Sequence, residues 1–343
     1  MTNVELLKPK PIGIGALIAI FLYLSGLFVL LTPLPLLYVS ATSGRKSGVA
    51  ATSVALITLF VIYFVFLGAE NFQGDLPNFA LPLPGLGLGM FFPLATVRYF
   101  GLLYFLFFGA IALALAEGFR QQWGLVKGGS RALIGALVFV AIIIFFVGVS
   151  DLVVSLKSYL EFIVAEIARV QSESDAYNTQ TALFLNQGPQ IAGFVLKIFP
   201  AIIFVLTLFA VVINQLLFQR IVMRKSLFYA GQKWEVAEFR MPDNLIWVLL
   251  GSAGAFLVGQ YVLNWSSLTY LGLNVLISFT ILYFFQGLSI VAFFVRRIKP
   301  LFRVLFYLVL IFFFQFFAIL IIGLGLAEVW VNFRQRFSSK EQA

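Results

Sequence analysis

The chain has no cysteine and no histidine among its 343 residues. Disulfides, thiolate nucleophiles and Ser-His-Asp triads are therefore excluded, and zinc, haem and iron–sulfur sites lack their usual ligands. Charged residues are also scarce, at 11% of the chain, against about a quarter in an average soluble domain. We therefore expect a protein that is not an enzyme and that holds no cofactor and no metal.

Apolar residues are abundant instead, at 62% of the chain, with 41 phenylalanines and a mean hydropathy of +1.03. A helix crosses a bilayer with about twenty apolar residues. Runs of this length predict an all-α, polytopic transmembrane helix bundle of about eight or nine spans, one of them short or re-entrant. We expect residues 1–343 to form a single integral membrane domain in the lipid bilayer.

The predicted spans are 12–32, 48–68, 97–118, 132–151, 191–219, 245–264, 268–295 and 304–327. The apolar piece 35–41 is too short for a perpendicular span, which indicates a short, broken or re-entrant helix. The phenylalanines at 312–314 are expected to face lipid or to fill gaps between helices.

Two segments between spans are long enough for additional structure. Residues 69–93 are rich in proline and glycine and lack Lys and Arg, which predicts an external loop lying in the interface or over the bundle as a lid. Residues 152–188 predict an external helical extension and then a polar turn that ends at Gly188-Pro189. Its apolar stripe includes Leu156, Leu160 and Ile163.

The net charge of +9 arises from Lys and Arg in short loops, a pattern that marks the cytoplasmic side of a membrane protein. Nine crossings would place the amino terminus and the basic loops inside but would leave the tail with Arg334 outside, against this rule. Eight crossings leave a conflict at one terminus. Nucleic acid is not an expected partner, because no basic groove interleaved with aromatic residues occurs outside the spans.

Polar residues within spans are candidate ligand contacts, because they are costly in lipid. The candidates are Lys197, Asn274 and Gln286, together with Gly287, which leaves the backbone accessible beside Gln286. Lys197 lies near Pro200, and it either snorkels outward or meets an anionic ligand or a carboxylate. The amides can equally form hydrogen bonds between helices.

Small residues also cluster in the spans. Gly13, Gly15 and Ala19 lie on the first span, and Gly251, Gly254 and Gly259 on a later one. Such residues allow close approach of helices. The first set is either a docking face for another membrane subunit or a packing face within the bundle.

Three stretches carry a recognisable pattern: FRMPDNLIW at 239–247, YFFQGLSI at 283–290 and GLGLAEVWVNFR at 323–334. Over most of the chain this pattern resembles the YybS-like family of bacterial multi-pass membrane proteins. That family is distantly similar to the substrate-binding subunits of energy-coupling-factor transporters. This chain has more spans than such subunits and no clear ligand signature.

The resemblance implies a location in the bacterial cytoplasmic (inner) membrane and a transport-related role. The chain would be a substrate-capturing or permease-like subunit of unknown ligand, with a membrane partner subunit or an ATPase module as candidate partners. The alternative is a membrane scaffold or assembly factor without transport activity.

Six residues of these stretches are candidate structural anchors or ligand contacts: Pro242, Asp243, Trp247, Glu328, Trp330 and Arg334. Pro242 and Asp243 suit the first turn of a helix, and the two tryptophans suit the interface belt. Glu328 and Arg334 are six residues apart and are not helical neighbours, so either the chain bends to let them form an ion pair or each has a separate partner.

Overall fold

The computed structural model describes residues 9–66, 94–147, 179–224 and 239–340, together with 154, 157 and 237. The predicted lid at 69–93 and the apolar stripe at Leu156, Leu160 and Ile163 lie outside these residues. All regular structure in the described part is helical, which confirms the all-α polytopic bundle. Seven of its helices are long and apolar enough to cross a membrane, judged by length and composition.

The described helices are numbered in chain order. They are α1 Pro9–Leu24, α2 Pro33–Ser43, α3 Arg45–Val61, α4 Leu94–Arg120, α5 Leu125–Val147, α6 Thr179–Arg224, α7 Leu245–Leu257, α8 Ser266–Val295, α9 Pro300–Phe312, α10 Phe314–Val331 and α11 Phe333–Lys340. Single π-helical turns extend α3 over Ile62–Phe66 and α7 over Val258–Val262.

The chain divides into two compact units. Unit 1 comprises Met1–Leu196 and Leu206–Gln232, and unit 2 comprises Lys197–Val205 and Lys233–Ala343. Both units contain apolar helices of spanning length. The single membrane domain stays a prediction.

The core of unit 1 is aromatic and contains a few buried hydrogen bonds. Tyr23 is 1% exposed, and its hydroxyl donates to the carbonyl of Gly101 at 2.6 Å. Its ring packs edge-on against that of Phe105. The buried amide of Asn214 donates to the carbonyl of Leu30 at 2.6 Å, so it connects α6 to the break after α1.

The first predicted span, 12–32, is wrong at its carboxyl end. Helix α1 stops at Leu24, and Gly26 takes a φ of +68°, a conformation that glycine adopts without steric cost. A new helix, α2, then begins at Pro33. Proline suits this position because it lacks the backbone N–H that would have no acceptor in the first turn of a helix. The short apolar piece at 35–41 is helical and lies within α2, as predicted.

The small residues of α1 pack mostly within the bundle. A side chain on Gly15 would overlap Val39 of α2, and Ala19 is fully buried. Gly13 faces open space. The packing alternative therefore accounts for two of the three residues.

In unit 2, α7 and α8 form an antiparallel pair, in which Gly259 meets Thr269 and Gly272 meets the backbone of Phe256. The next predicted span, 304–327, is wrong as a single helix, because the chain breaks at Phe313 into α9 and α10. Phe312 is 82% exposed at this break, as expected for a side chain that faces lipid.

The tail of unit 2 returns to the end where α8 finishes. Arg334 donates to the carbonyl of Phe239 at 2.9 Å, and the rings of Phe294 and Phe337 are 5.0 Å apart. A single straight crossing over 304–327 would have carried the tail to the opposite end. The tail therefore lies at the same end of unit 2 as Arg296 and Arg297. The nine-crossing arrangement predicted from the sequence placed the tail and these two arginines on opposite sides of the membrane.

Helix α6 also begins earlier than predicted. It starts at Thr179 and continues through Gly188-Pro189, which the sequence indicated as a turn. Proline is tolerated in membrane helices when neighbouring groups satisfy the freed backbone. Residues 179–188 are thus helical, where the sequence predicted a polar turn at the end of the segment 152–188. The external location of this segment stays a prediction.

Candidate functional site

Lys197 forms a close pair with Tyr270 in unit 2. Its ammonium group lies 2.9 Å from the phenol oxygen and 4.5 Å from the centroid of the tyrosine ring. The side chain of Lys197 is exposed. A cation over an aromatic face is attracted by the ring quadrupole. This attraction keeps the ammonium group of Lys197 against the ring of Tyr270 on α8.

Asn274 ties α8 to the turn of α6 that contains Pro200. Its amide oxygen accepts from the N–H of Ala201 at 2.9 Å, and its amide nitrogen donates to the carbonyl of Lys197 at 2.8 Å. These are the two groups that would pair with each other in a regular helix. The nitrogen also donates to the carbonyl of Tyr270 at 2.7 Å. Asn274 thereby fixes Lys197 and Tyr270 beside each other.

Gln286 is 1% exposed and joins three segments of unit 2. Its amide oxygen accepts from the N–H of Met241, and its amide nitrogen donates to the carbonyl of Gly325, both at 2.9 Å. At Gly287 and Gly325 the backbones of α8 and α10 approach so closely that a Cβ on Gly287 would overlap the carbonyl of Ile321. Gln286 and Gly287 therefore lie at the crossing of α8 and α10. They are distant from Lys197 in the sequence.

Arg334 forms a clasp with the segment before α7. Its Nε donates to Glu328 at 2.8 Å, and its Nη1 donates to the carbonyls of Ala237 and Phe239, both at 2.9 Å. Glu328 is 1% exposed and also accepts from the N–H of Phe333 at 2.8 Å. The ion pair uses a bend, as its spacing required.

The bend lies at Asn332, which adopts the left-handed conformation with φ of +50°. Asparagine tolerates this region better than most residues. The sequence did not single out Asn332 or two further residues of these sites. Tyr270 lies one helical turn before Asn274, and Ser289, whose hydroxyl donates to the carbonyl of Phe239 at 2.8 Å, lies one turn after Gln286. Helical spacing from the two predicted amides was the available signal.

The remaining candidates lie at the surface of unit 2. Helix α7 begins at Leu245, so Pro242 precedes the helix and does not occupy its first turn. Asp243 forms an ion pair with Arg240 at 3.1 Å. Trp247 and Trp330 are 73% and 64% exposed, which suits side chains at a membrane interface.

A family model described as "Predicted membrane protein (DUF2232)" matches residues 85–329, more than two thirds of the chain. The chain belongs to this family. It is therefore an integral, multi-pass membrane protein embedded in a lipid bilayer. No curated protein and no solved structure matches the chain.

Proposed function

We propose that this membrane protein is transport-related, as a substrate-capturing or permease-like subunit, and that Lys197 contacts its solute. The observation that carries the proposal is the pair formed by Lys197 and Tyr270. An ammonium group has three donors, and one of them is directed to the phenol oxygen. The other two are available to a ligand, because the described part of the chain contains no carboxylate within ion-pair distance of Lys197.

The chemistry of this pair suits an anionic solute. An exposed lysine and a phenol oxygen together offer donors to a carboxylate or a phosphate, and Asn274 fixes their spacing. Both groups are borne by helices of spanning length. A solute that reaches this pair would thus meet a preorganised cation.

A native mass spectrum of the protein, extracted gently from its host, tests this proposal. We expect a discrete small-molecule adduct on the wild type and its loss from Lys197→Gln. Lys299→Gln is the matched control, because Lys299 is also an exposed lysine of unit 2. An adduct that persists in Lys197→Gln would contradict the site, and a protein without any adduct would contradict the function. A co-purifying ATPase would support a subunit of a larger transporter.

A scaffold or assembly factor is the second candidate function. It is favoured by the amides of Asn274 and Gln286, which are engaged by the protein's own backbone and therefore act as ties between helices. If the protein is a scaffold, Asn274→Ala and Gln286→Ala should lower its thermal stability, and no solute should change the stability of the protein. A protein that carries a non-ATPase partner and no small molecule would favour the scaffold.

A further inference from the structure

An open, wholly apolar groove lies between α3 and α4 in unit 1. Its volume is about 310 Å³. The lining residues are Leu56, Ile57, Phe60, Leu102, Leu103 and Leu106. Ile57 and Phe60 are 64% and 50% exposed, so the groove opens toward the surroundings of the bundle. In a membrane protein those surroundings are hydrocarbon.

Helices α3 and α4 run in opposite directions along this groove. Gly101 of α4 lies against the ring of Tyr63, and Gly109 lies against Thr52. Residue numbers thus rise along α4 as they fall along α3. The carboxyl end of α4 therefore lies level with the amino end of α3.

Three basic residues lie at these two helix ends. Arg45 and Lys46 are the first residues of α3, and Arg120 is the last residue of α4. All three are exposed, and the first turn of α3 contains no acidic residue. Glu117 lies in the same last turn of α4, so these four residues leave this end of the groove with a net positive charge.

The basic end and the groove share one helix face. Lys46 and Ile57 are eleven residues apart, which is three turns and about 20° of rotation. The separation along the axis is about 16 Å, close to half of the roughly 30 Å hydrocarbon core. Val49, which is 44% exposed, lies between them on the same side. An acyl chain of one leaflet has the length to run from the basic end into the groove.

We propose that this surface binds an anionic phospholipid, with an acyl chain in the groove and the headgroup beside Arg45, Lys46 and Arg120. The apolar lining provides affinity for the chain, and the three cations provide preference for an anionic headgroup. The inference rests on unit 1 alone and is independent of the transport proposal.

The preference can be measured by native mass spectrometry of protein equilibrated with equal amounts of phosphatidylglycerol and phosphatidylcholine. Each Lys or Arg near an anionic lipid surface contributes about fivefold in affinity. The variant Arg45→Gln/Lys46→Gln should therefore lower the phosphatidylglycerol adduct about 25-fold and leave the phosphatidylcholine adduct unchanged. Lys299→Gln serves as the control for general electrostatic attraction and should change neither adduct.

The groove itself is tested by Leu106→Trp, which fills it. This variant should reduce both lipid adducts by the same factor, with the melting temperature followed by tryptophan fluorescence as a check on folding. Equal adducts of the two lipids on the wild type would overturn the proposal. So would an equal loss in Lys299→Gln, or full lipid retention by a folded Leu106→Trp protein.

Discussion

Replacing Gly287 with alanine should force α8 and α10 apart. The added methyl group would overlap the carbonyl oxygen of Ile321, which belongs to the helix backbone and cannot rotate away. Overpacking of this kind costs about 1–3 kcal/mol. Separation of the helices also weakens the hydrogen bond from Gln286 to Gly325, for about 1 kcal/mol more. We expect Gly287→Ala to lose about 2–4 kcal/mol of unfolding free energy.

Gly254→Ala is the matched control. Gly254 also lies within an apolar helix of unit 2, and a Cβ there meets nothing within 4 Å. Removal of a helical glycine stabilises by about 0.5–1 kcal/mol when space is available, so this variant should be as stable as the wild type or more stable. Both variants keep the hydrophobic character of the chain, which separates the effect of contact from that of composition.

The two glycines of the crossing should also be coupled. Gly325→Ala would overlap the carbonyl of Tyr283 and should be destabilising by itself. Once either substitution has separated the helices, the second costs less, so the double variant should lose less than the two single losses added together. Unfolding in detergent, followed by tryptophan fluorescence against denaturant concentration, measures the stability of all five proteins: the wild type, the three single variants and the double variant. Equal stability of Gly287→Ala and Gly254→Ala would refute the close crossing.

Two further outcomes follow from the clasp and the returning tail. Glu328→Gln leaves Arg334 without its counter-charge and should cost about 3 kcal/mol, whereas the added substitution Arg334→Gln should recover part of that loss. A double-mutant cycle on unfolding checks this, and additive losses would contradict the ion pair. Because the chain has no native cysteine, a single Gln335→Cys can be labelled cleanly with an impermeant maleimide in intact cells. The accessibility of Gln335→Cys to the reagent should match that of Lys299→Cys and differ from that of Ser267→Cys. If Gln335→Cys and Ser267→Cys were instead labelled alike, the return of the tail would be contradicted.

The sequence predicted the helical membrane fold because length and apolarity determine it directly. It also predicted that an ion pair between Glu328 and Arg334 needs a bend, but it could not locate the bend at Asn332. The break at Phe313 was missed because the residues around it include no glycine or proline. The continuation of α6 through Pro189 was missed for the opposite reason, since a proline that usually ends a helix is retained within this one.

The candidate site was predictable only in part. Polar residues in apolar helices marked Asn274 and Gln286, and the structure shows both amides engaged between segments. The sequence could not show that Asn274 meets the turn after Lys197, because the two segments are 77 residues apart.

The Arg334 clasp imposes an order on biosynthesis. Phe239 precedes Arg334 by 95 residues, and a ribosome adding about 5–20 residues per second needs roughly 5–19 s to cover that distance. During this interval the backbone carbonyl of Ala237 lacks the donor that Arg334 provides, and that of Phe239 can accept only from the Ser289 hydroxyl. Closure of unit 2 is therefore a late step in its maturation, and a substitution at Arg334 would leave helix insertion intact while holding the newly made protein in its unclosed form.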